Sequence, residues 1–254
     1  MFNADGLALS NDGATLYWQA VTAKTMYRID ASLLQQAGTN PDAAKGKAEK
    51  FATTEPVDGL DVTRTPSDVL ARRLAILRQD NHIAARLTVR DLVSFGRYPH
   101  SKGRLTIEDR GRIDEAIAFL ELEDLCSRFL DELSGGQRQR AFVAMVLCQE
   151  TDYVLLDEPL NNLDLKHAAR MMQQLRRAAR DLGKTVVVVL HDINFASAYS
   201  DHIVCMQSGR VTHEGPPAEI ITAEVLSSVY QLPVRVEVID GRRIGIYYDQ
   251  EPTP

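Results

Sequence analysis

The first sixty or so residues read as β-rich, with four apolar positions at period two. Leu7, Leu9, Leu16 and Trp18 alternate with other residues, and Asn11-Asp12-Gly13 supplies a turn between two short strands. A third strand is predicted over 25–29, followed by a short apolar stretch at 31–36 and a polar run at 38–50 that reads as an exposed loop. From Pro66 the texture changes. Helical patterns over 67–73, 88–95, 107–120, 136–147 and 166–182 alternate with aliphatic strands at 153–156, 186–190 and 203–206, which signals an α/β domain with a largely parallel sheet. Further on, the pattern predicts a helix over 217–230 and a hairpin over 234–248 around Asp240-Gly241. The two textures meet near Thr63 to Thr65. The predicted organisation is therefore a small β-meander over 1–63 and an α/β unit over 64–254, with a helical subdomain at about 80–150.

Composition narrows the function classes. With 254 residues, 44% hydrophobic and 25% charged, the chain lies in the globular range. A formal net charge of −6 argues against nucleic acid as a partner, and both textures are mildly acidic when counted separately. Cys126, Cys148 and Cys205 form no CxxC pair, so neither a disulfide framework nor a zinc site is suggested, and a reduced cytosolic setting fits. The longest wholly aliphatic run covers 186–190, far short of the roughly 20 residues that cross a bilayer. Any membrane role is expected to come through a partner.

Three motifs carry chemistry. Leu133-Ser134-Gly135-Gly136-Gln137 stands directly before a helical run, and a small hydroxyl residue with two glycines at a helix start offers free backbone N–H groups to an anion such as phosphate. Taken alone, Ser-Gly-Gly reads as an ordinary N-cap; the full Leu133–Gln137 stretch followed by Arg138-Gln139-Arg140 is far more specific. Further along, a buried-strand run from Tyr153 ends in Asp157 and Glu158; a carboxylate at that edge suits a Mg²⁺ ligand, and its neighbour suits a group that polarises water. After Asn162-Leu163-Asp164, one more helix and strand lead to His191.

This ordered set resembles the nucleotide-binding subunits of ABC transporters, over about residues 65–248. The fold implied is α/β, a partial ABC-type P-loop NTPase domain with a helical subdomain and a parallel-sheet core. The resemblance implies roles for the matching positions. Gln79 is similar to the glutamine that contacts the metal and the attacking water. Ser134, Gly135, Gly136 and Gln137 are similar to the signature that reaches nucleotide on a second subunit, and Asp164 to the acidic residue of the loop that follows. Asp157 corresponds to a metal ligand, Glu158 to the catalytic base and His191 to the histidine near the terminal phosphate. ATP and Mg²⁺ are the implied ligands. Membrane permease subunits and a second ATP-binding subunit are the implied partners, at the inner face of the plasma membrane. The stretch LTVRDLVSFGRYPH, residues 87–100, is most similar to the branch that imports ferric siderophores, haem or cobalamin.

A P-loop reads G-x-x-x-x-G-K-[ST], because its backbone N–H groups and lysine neutralise phosphate while the hydroxyl holds Mg²⁺. Neither Gly-Lys pair fits: Gly183-Lys184-Thr185 has Ala178 at the first glycine, and Gly46-Lys47 has Pro41 there and Ala48 in place of the hydroxyl residue. In its place, residues 3–62 resemble one blade of royal-jelly and gluconolactonase-like propellers, carried by DGLALSNDGATLYW. The expectation is a fusion of two unrelated pieces whose autonomous ATP binding is very weak. Two alternatives stay open: a non-catalytic partner that lends its signature to an intact subunit, and a propeller-derived ligand-binding fragment.

Overall fold

The computed structural model describes residues 66–79, 81, 83, 85–161, 163–207 and 210–248, together with the backbone of four N-terminal strands. Those strands, β1 (Asn3–Leu9), β2 (Thr15–Gln19), β3 (Thr25–Asp30) and β4 (Glu49–Thr53), pair antiparallel in chain order as a meander. The last of them corrects the reading of 38–50 as wholly loop, since β4 begins within that run and is defined by pairing with β3, from Thr25↔Thr53 to Arg28↔Glu49. The turn at 11–13, the stretch at 31–36, the join at 63–65 and Asn162 lie outside the described residues.

A parallel sheet of three strands forms the α/β unit. Helix α1 (Ser67–Arg73) runs straight into β5 (Leu74–Leu77), which pairs with β6 (Tyr153–Asp157), which in turn pairs with β7 (Thr185–Val189). The first four residues of β6 are buried on both faces, as expected of a central parallel strand covered by helices.

Between β5 and β6 the chain builds the helical subdomain from α2 (Val89–Phe95), α3 (Tyr98–Ser101), α4 (Ile107–Phe119) and α5 (Gly135–Cys148). Helix begins at Val89, and the described residues just before it, 81, 83 and 85–88, are not helical. Thr88 and Thr106 start α2 and α4 with reciprocal capping boxes to Asp91 and Asp109, each satisfying two otherwise unpaired backbone donors. Val89, Leu92 and Val93 bury one stripe of α2 against Ile113 and Ile117 of α4 and the apolar face of α5. Burying one such leucine stabilises the fold by ~1.5–3 kcal/mol.

Polar ties fix the C-terminal end of α5. Arg97, only 4% exposed, directs Nε to Asp109 Oδ1 at 2.9 Å and Nη1 to both the Cys148 carbonyl at 3.0 Å and Glu150 Oε2 at 2.7 Å. Gln149 Nε2 donates to the Ala71 and Leu74 carbonyls and so ties the same end to the start of β5.

Beyond β6 come α6 (Leu165–Asp181), β7, α7 (Ile193–Tyr199), the antiparallel pair β8 (Ile203–Gln207) and β9 (Arg210–Gly215), α8 (Pro217–Ile220), α9 (Ala223–Tyr230) and the hairpin β10 (Arg235–Ile239) and β11 (Arg242–Ile246). The single helix predicted over 217–230 is two helices. Thr222 takes an extended backbone and its Oγ1 accepts from the Val225 N–H, opening a new helix where the periodicity runs on. Asp240 and Gly241 both have positive φ, 50° and 75°, as a two-residue hairpin turn requires. No helix among the described residues is long and apolar enough to cross a membrane.

Candidate functional site

Sheet register assembles the site. Leu77 pairs with Leu156, so Gln79 and Glu158 each emerge two residues beyond the ladder; Asp157 pairs with Val189, and His191 follows two residues later. All of these side chains leave the carboxyl ends of parallel strands, the usual place for ligand chemistry in an open α/β sheet.

Glu158 is the hub. Its side chain is 15% exposed, Gln79 Nε2 donates to Oε2 at 2.7 Å, Asn161 Nδ2 donates to the same oxygen, and His191 Nε2 lies 2.5 Å from Oε1. Three of the sequence-predicted residues, Gln79, Glu158 and His191, therefore meet at one carboxylate. Asn161 was missed by sequence reasoning; its signal is its place three residues on, where its backbone N–H turns back to the Glu158 carbonyl. Glu158 holds φ at 46°, in the left-handed region that a residue with a Cβ enters at a cost.

Asp157 sits beside this hub and is half-buried. Burial, and then the negative charge of Glu158, push its carboxyl above the ordinary value, while His191 and a backbone hydrogen bond from Gln79 pull it back. Its carboxylate oxygens are hard donors of the kind that Mg²⁺ takes. The oxygen donors available are the Asp157 carboxylate and the Gln79 amide. Mg²⁺ characteristically binds one or two protein groups and takes its remaining oxygens from phosphates and water, so the set fits. Beside Glu158 opens a cleft of about 280 Å³ lined by Leu160, Asn161, Leu163, His191, Asp192 and Phe195. Most of its lining is apolar, with Glu158, Asn161, His191 and Asp192 as its polar groups.

The remaining predicted residues form a second group. Ser134 caps α5: its Oγ accepts from the Gln137 N–H at 3.3 Å and its own N–H donates to Gln137 Oε1 at 3.0 Å. Both side chains are thus engaged in the capping box, and the backbone N–H groups of Gly135 and Gly136 are the donors directed along the helix end. Asp164 caps α6, its Oδ1 accepting from the His167 N–H at 2.8 Å and lying 2.7 Å from His167 Nδ1. The His167 backbone bond, then its side chain, hold the Asp164 carboxyl below the ordinary value. Gly136 joins the two caps, because a Cβ there would stand 3.0 Å from Leu163 Cδ2. Arg138 Nη2 donates to the Asn81 carbonyl at 3.3 Å and so links α5 to the segment that carries Gln79.

Comparison with known proteins points to one family. The family profile described as ABC transporter matches residues 42–161. The chain is 52% identical over 192 residues to the petrobactin import ATP-binding protein YclP of Bacillus subtilis (strain 168), covering 76% of each chain. It is 55% identical over 185 residues to the petrobactin import ATP-binding protein FatE of Bacillus anthracis, covering 73% of each. Among solved structures, the dimeric structure of MJ0796, a bacterial ABC transporter cassette, superposes with a TM-score of 0.55 at 26% identity, covering 72% of this chain and 80% of that one.

Proposed function

Because this chain belongs to the ATP-binding proteins of ABC transporters, we propose that it is the ATP-binding subunit of an importer for ferric siderophores or a related metal chelate. The substrate class rests on its likeness to two proteins named for petrobactin import. The observation that carries the reading is the convergence of Gln79, Asn161 and His191 on Glu158 at the carboxyl end of β6.

In this reading Glu158 is the general base. It exchanges one of its present donors for a water molecule and accepts that water's proton as the water's oxygen bonds to the γ-phosphorus of ATP, while the bond from that phosphorus to the β–γ bridging oxygen breaks and ADP leaves with the bonding electrons. Gln79 positions the water through its amide, and His191 donates toward the phosphate oxygens. Asp157, with Gln79, would hold Mg²⁺, and the bound ion would supply charge neutralisation at the phosphates. Ser134, Gly135, Gly136, Gln137 and Asp164 face nucleotide held by a second ATP-binding subunit, and the dimeric relative supports that arrangement. Permease subunits in the plasma membrane, with this chain at their inner face, complete the assembly.

Residues 1–63, read as a propeller-like fragment, stand where the family carries its P-loop, and no G-x-x-x-x-G-K-[ST] occurs in the sequence. Each charge-assisted hydrogen bond to phosphate lost in this way is worth ~1.5–3 kcal/mol, so losing three weakens binding by on the order of a thousandfold or more. Titrating the purified chain with a fluorescent ATP analogue and Mg²⁺ tests this, and saturable binding in the micromolar range would overturn it. The same observation favours a second reading, in which the Ser134 cap completes the ATP site of a P-loop-bearing homologue. ATPase activity in such a mixture is then expected to vanish with Ser134→Arg; activity that survives the substitution excludes that reading.

A further inference from the structure

His191 has little around it to hold its ring. Its side chain is 74% exposed, against 15% for Glu158, yet its Nε2 lies 2.5 Å from Glu158 Oε1. A side chain with so few neighbours is aimed by its backbone. On one side that backbone is set by β7, whose last residue, Val189, pairs with Asp157. On the other it enters the first turn of α7, where Asp192 Oδ1 accepts from the Asn194 N–H at 2.7 Å and from the Phe195 N–H at 3.0 Å.

That turn is fastened to the C-terminal hairpin. The two-residue turn at Asp240-Gly241 makes Ile239 and Arg242 the first hydrogen-bonded pair of β10 and β11, and such pairs alternate from there, so Arg243 and Gly245 present their backbone groups to the opposite edge of β11. Asn194 occupies that edge as a neighbouring strand would. Its Nδ2 donates to the Gly245 carbonyl at 3.2 Å and its Oδ1 accepts from the Gly245 N–H at 2.8 Å. Turned over, the amide would set like against like at both atoms, so its orientation is fixed. Gly245 is buried, and a Cβ there would overlap the Ile193 side chain, so any side chain at 245 would push the strand off the helix. Further along α7, Ser197 Oγ donates to the Arg243 carbonyl at 2.6 Å. This second tie joins the same helix to the same strand but lies beyond the first turn.

We propose that Asn194 is a positioning residue for the site: by pinning the first turn of α7 to β11 it places the His191 ring on Glu158. The C-terminal hairpin thereby belongs to the framework of the site, although β11 contributes to this link only the backbone groups of Gly245. What His191 does to ATP rests on the function proposed above; where its ring sits does not.

Long-range ¹H–¹⁵N NMR of the full chain, labelled at its histidines, reports whether the His191 ring is hydrogen-bonded. The signal is assigned by its loss in His191→Gln, and its unbound position is given by Glu158→Ala. Asn194→Leu is expected to move the His191 signal from its native position to the one seen in Glu158→Ala. Asn194→Asp, which keeps the acceptor and sets a second oxygen against the Gly245 carbonyl, should move it part of the way, and it decides if the leucine variant does not fold. Ser197→Ala, which cuts the neighbouring tie, should leave the signal in place. A His191 signal unmoved in a folded Asn194 variant overturns the proposal. So does an equal move in Ser197→Ala, which would mean that any contact holding α7 on β11 serves as well, or a native signal that already coincides with the one in Glu158→Ala. The readout needs no nucleotide, so a chain that binds no ATP still decides it.

Discussion

Replacing Asp109 by asparagine removes the charge that anchors Arg97 and keeps the side chain's shape. Hydrogen bonds from Thr106, first through its backbone N–H at 2.9 Å, and the Arg97 guanidinium together hold the Asp109 carboxyl down at about 2, from 3.8, against an opposing contribution from burial. Both side chains are nearly inaccessible, 6% exposed for Asp109 and 5% for Arg97, so water screens the pair little. A tenfold change in proton affinity corresponds to about 1.4 kcal/mol, so the depression converts to about 2.5 kcal/mol of folding stability at neutral pH. The sign follows from the direction of the shift: with the folded-state value below the unfolded one, this stability is complete above pH ~5 and drains away as pH falls towards 2. Urea denaturation followed by circular dichroism, on the native chain and on Asp109→Asn, should therefore show a gap of about 2.5 kcal/mol at pH 7, shrinking to roughly half at pH 3. A gap of the same size at both pH values, or one below ~0.5 kcal/mol at pH 7, would refute the reasoning, since the ionised carboxylate would then not be what stabilises the fold.

Three further outcomes are expected. Asp157→Asn should raise the melting temperature at pH 7: burial and the Glu158 charge lift the folded-state value, so ionisation opposes folding, and the gain should fade as pH is lowered towards 3.8, which melting curves at pH 7 and 4 will show. Gly96→Ala should cost ~1–3 kcal/mol or more in a denaturant titration, because the added Cβ would overlap the backbone carbonyl oxygen of Met145, which cannot rotate away. Cys148 is 2% exposed and burial pushes its thiol up to about 12, so it should stay unmodified by an aromatic disulfide reagent at pH 8 until the chain is unfolded.

The elements legible in the sequence are those with strong local signals. Helices α2 and α4 were bounded by threonines with aspartates three residues on, and β6 by an unbroken aliphatic run ending in two acids. Strand β5 was not foreseen: Leu74–Leu77 is four residues long between Arg73 and Arg78, and pairing with β6 defines it more than its own pattern does. The break at Thr222 was hidden because apolar periodicity continues through it while one hydroxyl changes the backbone course. At the site, the order of motifs brought Gln79, Glu158 and His191 into one list, and sheet register then brought them into contact. What the sequence could not disclose is how each polar group is used. Ser134 and Asp164 are helix caps as well as candidate nucleotide contacts, and only the folded chain shows Asn161 bound to Glu158.

The backbone at Glu158 has a consequence for how this protein would respond to selection. A side chain held at φ 46° carries a conformational cost of ~1–3 kcal/mol that glycine at the same place would largely avoid. A screen rewarding heat resistance alone should enrich glycine or asparagine at 158, whereas one rewarding turnover should keep the carboxylate. The two screens diverging at this one codon would mark it as a place where durability has been given up for chemistry.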